Sequence, residues 1–158
     1  MFYFSYIFLE QREFFSYYRK HKPSTILAAY YNDRHIDFFN SGEFQKAYDF
    51  LLKACKAEPC SIELWGKLAF LCEMVLHDNI LTDKYLQEAK GIIDSGEKLA
   101  DKELAWYEYF LGQILCNRGR NYDGLEHLRR SIELDEDSHR LAKYEEKLSE
   151  ITGGIKEE

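Results

Sequence analysis

The sequence predicts an all-α protein built as a stack of helical hairpins. Three observations carry that expectation. One spacing occurs three times: a small residue, then a large aliphatic residue four positions on, then a small residue three further on. Ala47, Leu51 and Ala54 make the first copy, Ala89, Ile93 and Gly96 the second, and Gly124, Leu128 and Ser131 the third. Offsets of four and three place each set on one helical face, where small residues admit a neighbouring helix at both ends of a bulky one. The pattern returns after about 35 to 42 residues, the period of stacked hairpins rather than of a single globular core. Finally, the 158 residues include only 2 prolines and 9 glycines, and Leu, Ala, Glu, Lys and Tyr are common. That composition favours helix.

Residues 2–18 carry nine aromatics: Phe2, Tyr3, Phe4, Tyr6, Phe8, Phe14, Phe15, Tyr17 and Tyr18. They read as an N-terminal helix within residues 1–22. Phe4, Ile7, Phe8, Gln11, Phe15 and Tyr18 share one face, and Tyr3, Tyr6 and Phe14 leave other faces aromatic. Such a helix wants cover on more than one side. The apolar run from Phe2 to Leu9 is too short to span a bilayer and lacks the basic start and small-residue cleavage site of a signal peptide. Pro23 breaks the helix.

Helices are then expected over 25–40 and 43–57, with Gly42 stopping the first and Pro59 following the second. The next covers 61–76, with Ser61 as N-cap and Leu64, Leu68, Leu71 and Val75 on one face. Residues 77–82 read as a looser link. Thr82 or Asp83 opens a helix to about Leu99. Another covers 103–117, and the turn Asn117 to Asn121 leads to a helix over 122–134. Ser138 reads as the cap of a last helix over 139–152. Its stripe of Leu141, Tyr144, Leu148 and Ile151 faces the stack. Lys143, Glu145, Glu146, Lys147 and Glu150 face water, as a terminal capping helix requires. Residues 153–158 read as a frayed tail.

These residues resemble the tetratricopeptide repeat, a two-helix unit of 34 residues. The third copy matches best: Leu111-Gly112, Leu115, Gly119, Gly124, Leu128 and Ser131 occupy the signature places of a repeat over 105–138. The second, over 62–104, opens with Trp65, Leu68, Ala69 and Cys72, then carries about eight extra residues around 77–83. The first, over 28–61, has Gly42, Phe44, Ala47, Leu51, Ala54 and Pro59, but Arg34-His35 where Leu-Gly is expected. The resemblance implies a right-handed α-solenoid whose first helices line a concave groove for a peptide or helical segment of another protein. Residue by residue, that groove would be lined by Asn32, Ile36 and Phe39, then Glu63, Gly66, Phe70 and Glu73, then Trp106, Tyr109, Gln113 and Asn117. Aromatics and amides anchor apolar side chains and hydrogen-bond an extended backbone. The alternative is that Ile36, Phe39, Phe70, Trp106 and Tyr109 pack under the N-terminal aromatic helix.

One branch of the family holds acidic chaperone tails in a clamp of Lys, Asn and Arg. The matching places here hold Asn32, Ile36, Lys67, Trp106 and Phe110. Only Lys67 offers charge, and a carboxylate would face Glu63 and Glu73 without compensation, which argues against that role.

The remaining composition excludes more than it assigns. A net charge of −7 with no basic stripe speaks against a nucleic-acid partner. Cys55, Cys60, Cys72 and Cys116 form no Cys-x-x-Cys pair, so no metal is expected. Cys55, Cys72 and Cys116 read as small buried hydrophobes in a reducing, cytoplasmic setting. Asp33, Arg34, His35 and Asp37 read as a polar helix surface with local ion pairs. Glu126, Arg129, Arg130 and Glu133 read as a solvated face. No phosphate loop or nucleophile motif occurs, so no enzyme and no cofactor are expected.

The expected function is therefore a non-catalytic adaptor that binds a protein or peptide segment. The N-terminal helix would fill the groove, cap the first repeat or join two copies. Two other readings stay open. One is a chaperone of the type that serves type III secretion translocators, on layout alone. The other is a peripheral membrane protein anchored by residues 2–18, against which the lack of Lys and Arg along that face argues.

Overall fold

The computed structural model describes residues 22–153. The aromatic helix expected over 2–18 and the tail from residue 154 lie outside the described residues. The chain divides into two compact units, Met1–Pro59 and Cys60–Glu158. Every regular element among the described residues is helical.

The first unit holds one hairpin. Helix α1 runs Pro23–Asn40 and α2 runs Phe44–Ala57. Pro23 begins α1, where its missing N–H and fixed φ cost nothing. Gly42, at φ 79°, ends it. The N–H of Gly42 donates to Phe39 C=O, and that of Glu43 to Phe38 C=O, which satisfies carbonyls the helix end would otherwise orphan. Ala47, Leu51 and Ala54 are fully buried on α2, as the spacing predicts. Phe38 stacks on Phe50 at 5.2 Å. At the open end of the hairpin Thr25 Oγ1 donates to Glu58 Oε1 at 3.0 Å.

The second unit begins with α3 (Ile62–Leu71), which continues through a π-helical turn, Cys72–Leu76. Ser61 caps α3 by accepting the Leu64 N–H, as expected. The segment 77–82 is not a link. His77 alone takes the left-handed conformation, φ 53°, and Asp78 caps α4 (Asn79–Asp94) by accepting the Leu81 N–H at 2.9 Å. Neither helix of this hairpin is longer by a turn: α3 has 10 residues and its π-helical turn 5, and α4 has 16, against 17 in Asp101–Asn117 and 14 in Asn121–Leu134, and the connection between them is a two-residue turn. Thr82, expected near the helix start, is instead fully buried within it. Its hydroxyl lies 2.9 Å from Asp78 C=O and 3.4 Å from Ala69 C=O. At the far end α4 stops at Asp94, short of Leu99, because Gly96 adopts φ 77° in the following turn. Gly96 therefore does not share a helical face with Ala89; of the second copy, Ala89 is fully buried and Ile93 half-buried.

Helix α5 (Asp101–Asn117) starts two residues before the expected Glu103. Asp101 and Glu103 complement the helix dipole in its first turn. Gly119, at φ 76°, makes the turn to α6 (Asn121–Leu134). The α5/α6 contact is close at its two glycines. A Cβ on Gly112 would stand 2.8 Å from Gly124 C=O, and one on Gly124 would stand 2.7 Å from Gly112 C=O. Two backbones touch where neither residue has a side chain. Helix α3 packs against α5, and Gly66 permits that approach: its Cβ would meet Tyr107 at 3.1 Å and Phe110 at 3.4 Å. Helix α7 (Ser138–Thr152) closes the unit. Its N-cap is Asp137, not Ser138; the Asp137 carboxylate accepts the Arg140 N–H at 3.0 Å.

Candidate functional site

The groove residues expected on α1 stand on one exposed face. Ile36 and Phe39 are 44% and 37% exposed, and Asn32 is half-buried beside them. Phe39 meets Phe44 edge-on at 5.5 Å. His35 turns away from this face. It is buried, and its Nδ1 lies 3.0 Å from Ala47 C=O. A carbonyl only accepts, so Nδ1 carries the proton. The polar surface expected for Asp33 to Asp37 holds for the Arg34–Asp37 ion pair and fails for His35, which is interior.

In the second unit the structure brings the aromatic residues of α3 and α5 together. Phe70 sits 5.5 Å from Phe110, and Trp106 stacks on Phe110 at 5.9 Å. Trp106 also meets Tyr109 edge-on at 5.5 Å. Phe70 and Trp106 are half-buried, packed against the buried cluster of Tyr109, Phe110 and Leu128. Tyr109 and Gln113 are interior. Burial pushes the Tyr109 hydroxyl above its ordinary value, with Gln113 hydrogen bonding acting the other way. The Tyr109 hydroxyl also contacts His139 Nε2 at 3.3 Å. These rings form a platform whose upper edges belong to Phe70 and Trp106 and whose lower ring is core.

The charges beside this platform are already engaged. Glu63 pairs with Lys67 at 3.7 Å. Glu73 is buried in the π-helical turn and is not uncompensated. Its Oε1 accepts from Arg118 Nε at 3.0 Å and from Asn117 Nδ2 at 3.1 Å, and its Oε2 from Arg118 Nη2 at 2.8 Å. The Arg118 guanidinium holds the Glu73 carboxyl below its ordinary value. Arg118 also donates to Asp83 at 2.7 Å. Arg118 and Asp83 escape sequence reasoning because Arg118 reads only as part of a turn. The signal was a buried-face glutamate in the π-helical turn after α3 and an arginine at the end of α5, too far apart in sequence to pair by spacing.

A second buried carboxylate, Glu108 on α5, contacts His127 Nδ1 and lies 4.0 Å from Arg130, both on α6. Arg130 stays exposed, on the solvated face where Arg129 bridges Glu126 and Glu133. All four cysteines are free thiols: Cys55 and Cys72 buried, Cys116 half-buried, Cys60 exposed. Burial raises the Cys72 thiol to about 12, which suits an inert core residue. Among the described residues no group of three or more His, Cys, Asp and Glu could hold a metal ion, and no helix is long and apolar enough to cross a membrane.

No protein-family model matches the chain, and no curated protein matches it. Among solved structures the chain is similar to the N-terminal domain of stress-induced protein-1 (STI-1) from C. elegans. The identity is 16%, the TM-score 0.54, and the match covers 80% of this chain and 98% of that one. At that identity the likeness establishes the fold: an all-α domain of tetratricopeptide-like helical pairs.

Proposed function

We propose that the chain is a non-catalytic interaction module that binds a segment of another protein through the aromatic face of its second unit. The observation that carries this reading is the pairing of Phe70 and Trp106. Their rings are half-buried over Phe110, while Glu63 and Glu73 beside them are already neutralised by Lys67 and Arg118. A surface of fixed rings with satisfied charges at its margin recognises apolar or aromatic side chains and gives little to a free carboxylate or phosphate. On α1, Asn32, Ile36 and Phe39 form a second surface of the same chemistry. Four free thiols fit a protein that works in a reducing compartment such as the cytoplasm.

Selection of random peptides displayed on phage tests the proposal directly. Recovered peptides are expected to share an aromatic or large aliphatic anchor. Trp106→Ala and Phe70→Ala should each weaken their binding at least tenfold, about 1.4 kcal/mol, while Glu126→Ala leaves it unchanged. Recovery of no binders, or binding that ignores both ring deletions, overturns the reading. A large fall in melting temperature on Trp106→Ala with binding unchanged would assign that ring to the core alone.

A further inference from the structure

Helix α7 is seated by an uncommon side chain. Arg140 is its only buried residue and has no exposed surface, whereas the stripe of Leu141, Tyr144, Leu148 and Ile151 is only half-buried. The Arg140 guanidinium lies over the Trp106 ring at 4.6 Å. Its Nη2 donates to the Asp135 carboxylate at 2.7 Å and to the Asp135 carbonyl. Its Nε and Nη1 are buried and find no acceptor among the described residues. A guanidinium has five N–H donors, and a buried charged donor without an acceptor has given up hydration with nothing in return. One carboxylate, itself 37% exposed, one backbone carbonyl and one ring face offset only part of that loss. The neighbouring helix makes the contrast: α6 buries Gly124, Leu128 and Ser131 and leaves no buried donor unmet.

We propose that α7 is a releasable strap: residues 138–152 leave the α5/α6 hairpin as a unit, far more often than the hairpin itself opens. In the released state every Arg140 donor regains water. Beside the apolar stripe Lys143 pairs with Glu146 and Lys147 with Glu150; the glutamates are exposed and the lysines half-buried, so these pairs travel with α7 and lose little on release. Its half-buried stripe forfeits less apolar contact than a core helix would. Elements with few buried apolar contacts and poorly satisfied polar groups are the ones that open sub-globally. Release bares the one face of the half-buried Trp106 ring that Arg140 covers, and the side of the cluster of Tyr109, Phe110 and Leu128 on which Tyr144 packs. The inference goes beyond the binding role above and stands without it.

Native-state hydrogen exchange of the intact chain tests the strap, in the wild type and in Arg140→Met and Arg140→Leu. Both substitutions fill the space over Trp106 without donors, and Asp135 is exposed enough to be hydrated when its partner is removed. In the wild type the amides of Tyr144 to Leu148 are expected to exchange at least tenfold faster, after correction for intrinsic rates, than those around Ile114 in α5. In both variants the α7 amides should slow at least tenfold while the α5 amides keep their place as the slowest. Exchange of α7 and α5 through one common opening in the wild type overturns the proposal. So do α7 rates that stay the same or rise in both variants, because Arg140 would then be a net anchor.

Discussion

The hairpins α1/α2 and α5/α6 solve one packing problem with different chemistry. In α5/α6 the contact is made by absence: Gly112 and Gly124 let backbone meet backbone, and a Cβ on either would stand under 3 Å from the other's carbonyl. In α1/α2 the repeat places His35 where α5 has Gly112, and Ala47 where α6 has Gly124. The imidazole fills the gap and donates to the Ala47 carbonyl at 3.0 Å, the counterpart of the carbonyl that Gly112 touches directly. A hairpin can therefore close by subtracting side chains or by adding one that is polar, buried and hydrogen-bonded. The added one must keep its bond, since a buried imidazole N–H without an acceptor is costly.

The largest expected effect comes from putting atoms where there is no room. Gly124→Leu should cost about 3 kcal/mol, the upper end of overpacking, and lower the thermal midpoint. Ala89→Leu, at a fully buried position of α4, should follow at about 1–3 kcal/mol. If both melt like the wild type, the small-residue faces do not carry the packing. Next is His35→Ala, which removes the donor and leaves a void: about 2 kcal/mol in urea unfolding. His35→Gly should be no better, because α1/α2 has been built around the ring. Stability regained by the glycine variant would mean that the hairpin collapses readily to the α5/α6 arrangement.

The second unit also has an ionic tie: Glu73 held by Arg118 and Asn117. The folded-state pKa of Glu73 lies below its ordinary 4.5, chiefly through the Arg118 hydrogen bond. Its contribution is therefore fully present above about pH 4.5 and is lost as the pH falls through the lower folded value. Glu73→Gln should cost about 1–2 kcal/mol at pH 7 and flatten the fall in stability below that pH. Denaturant midpoints across pH 3 to 7 check this; parallel profiles for the two proteins would remove the tie. The smallest effects belong to Ile80 and Tyr122, 84% and 79% exposed at the starts of α4 and α6. Changing either to Ser should move stability by no more than about 0.5 kcal/mol.

The helices and most of their ends were legible in the sequence because their causes are local. Periodicity marked the buried faces of α2 and α6, Ser61 announced its cap, and Gly42 and Gly119 sit at positive φ where a helix must stop. The misreadings share one cause. Gly96 has the right spacing to be a third face residue and also the right chemistry to end a helix; the turn won. Asp78 and Asp137 displaced Thr82 and Ser138 as caps because several residues near a helix start have capping side chains, and only the incoming backbone direction chooses between them.

For the candidate site the division is sharper. Sequence placed Phe70, Trp106, Tyr109, Gln113 and Glu73 among the inner helices, but spacing along one helix does not say how deep a ring sinks or which charge meets it. That Tyr109 and Gln113 are core, that Glu73 answers to Arg118, and that His35 and Arg140 are buried depends on which helix lies opposite, and at what distance. The chain by itself determined the all-α class and the small-residue faces of α2 and α6, since these follow from torsional preference and periodicity within a few turns. Only the tertiary structure decided which polar groups are interior and who satisfies them, because burial and hydrogen bonding are properties of pairs of elements remote in sequence.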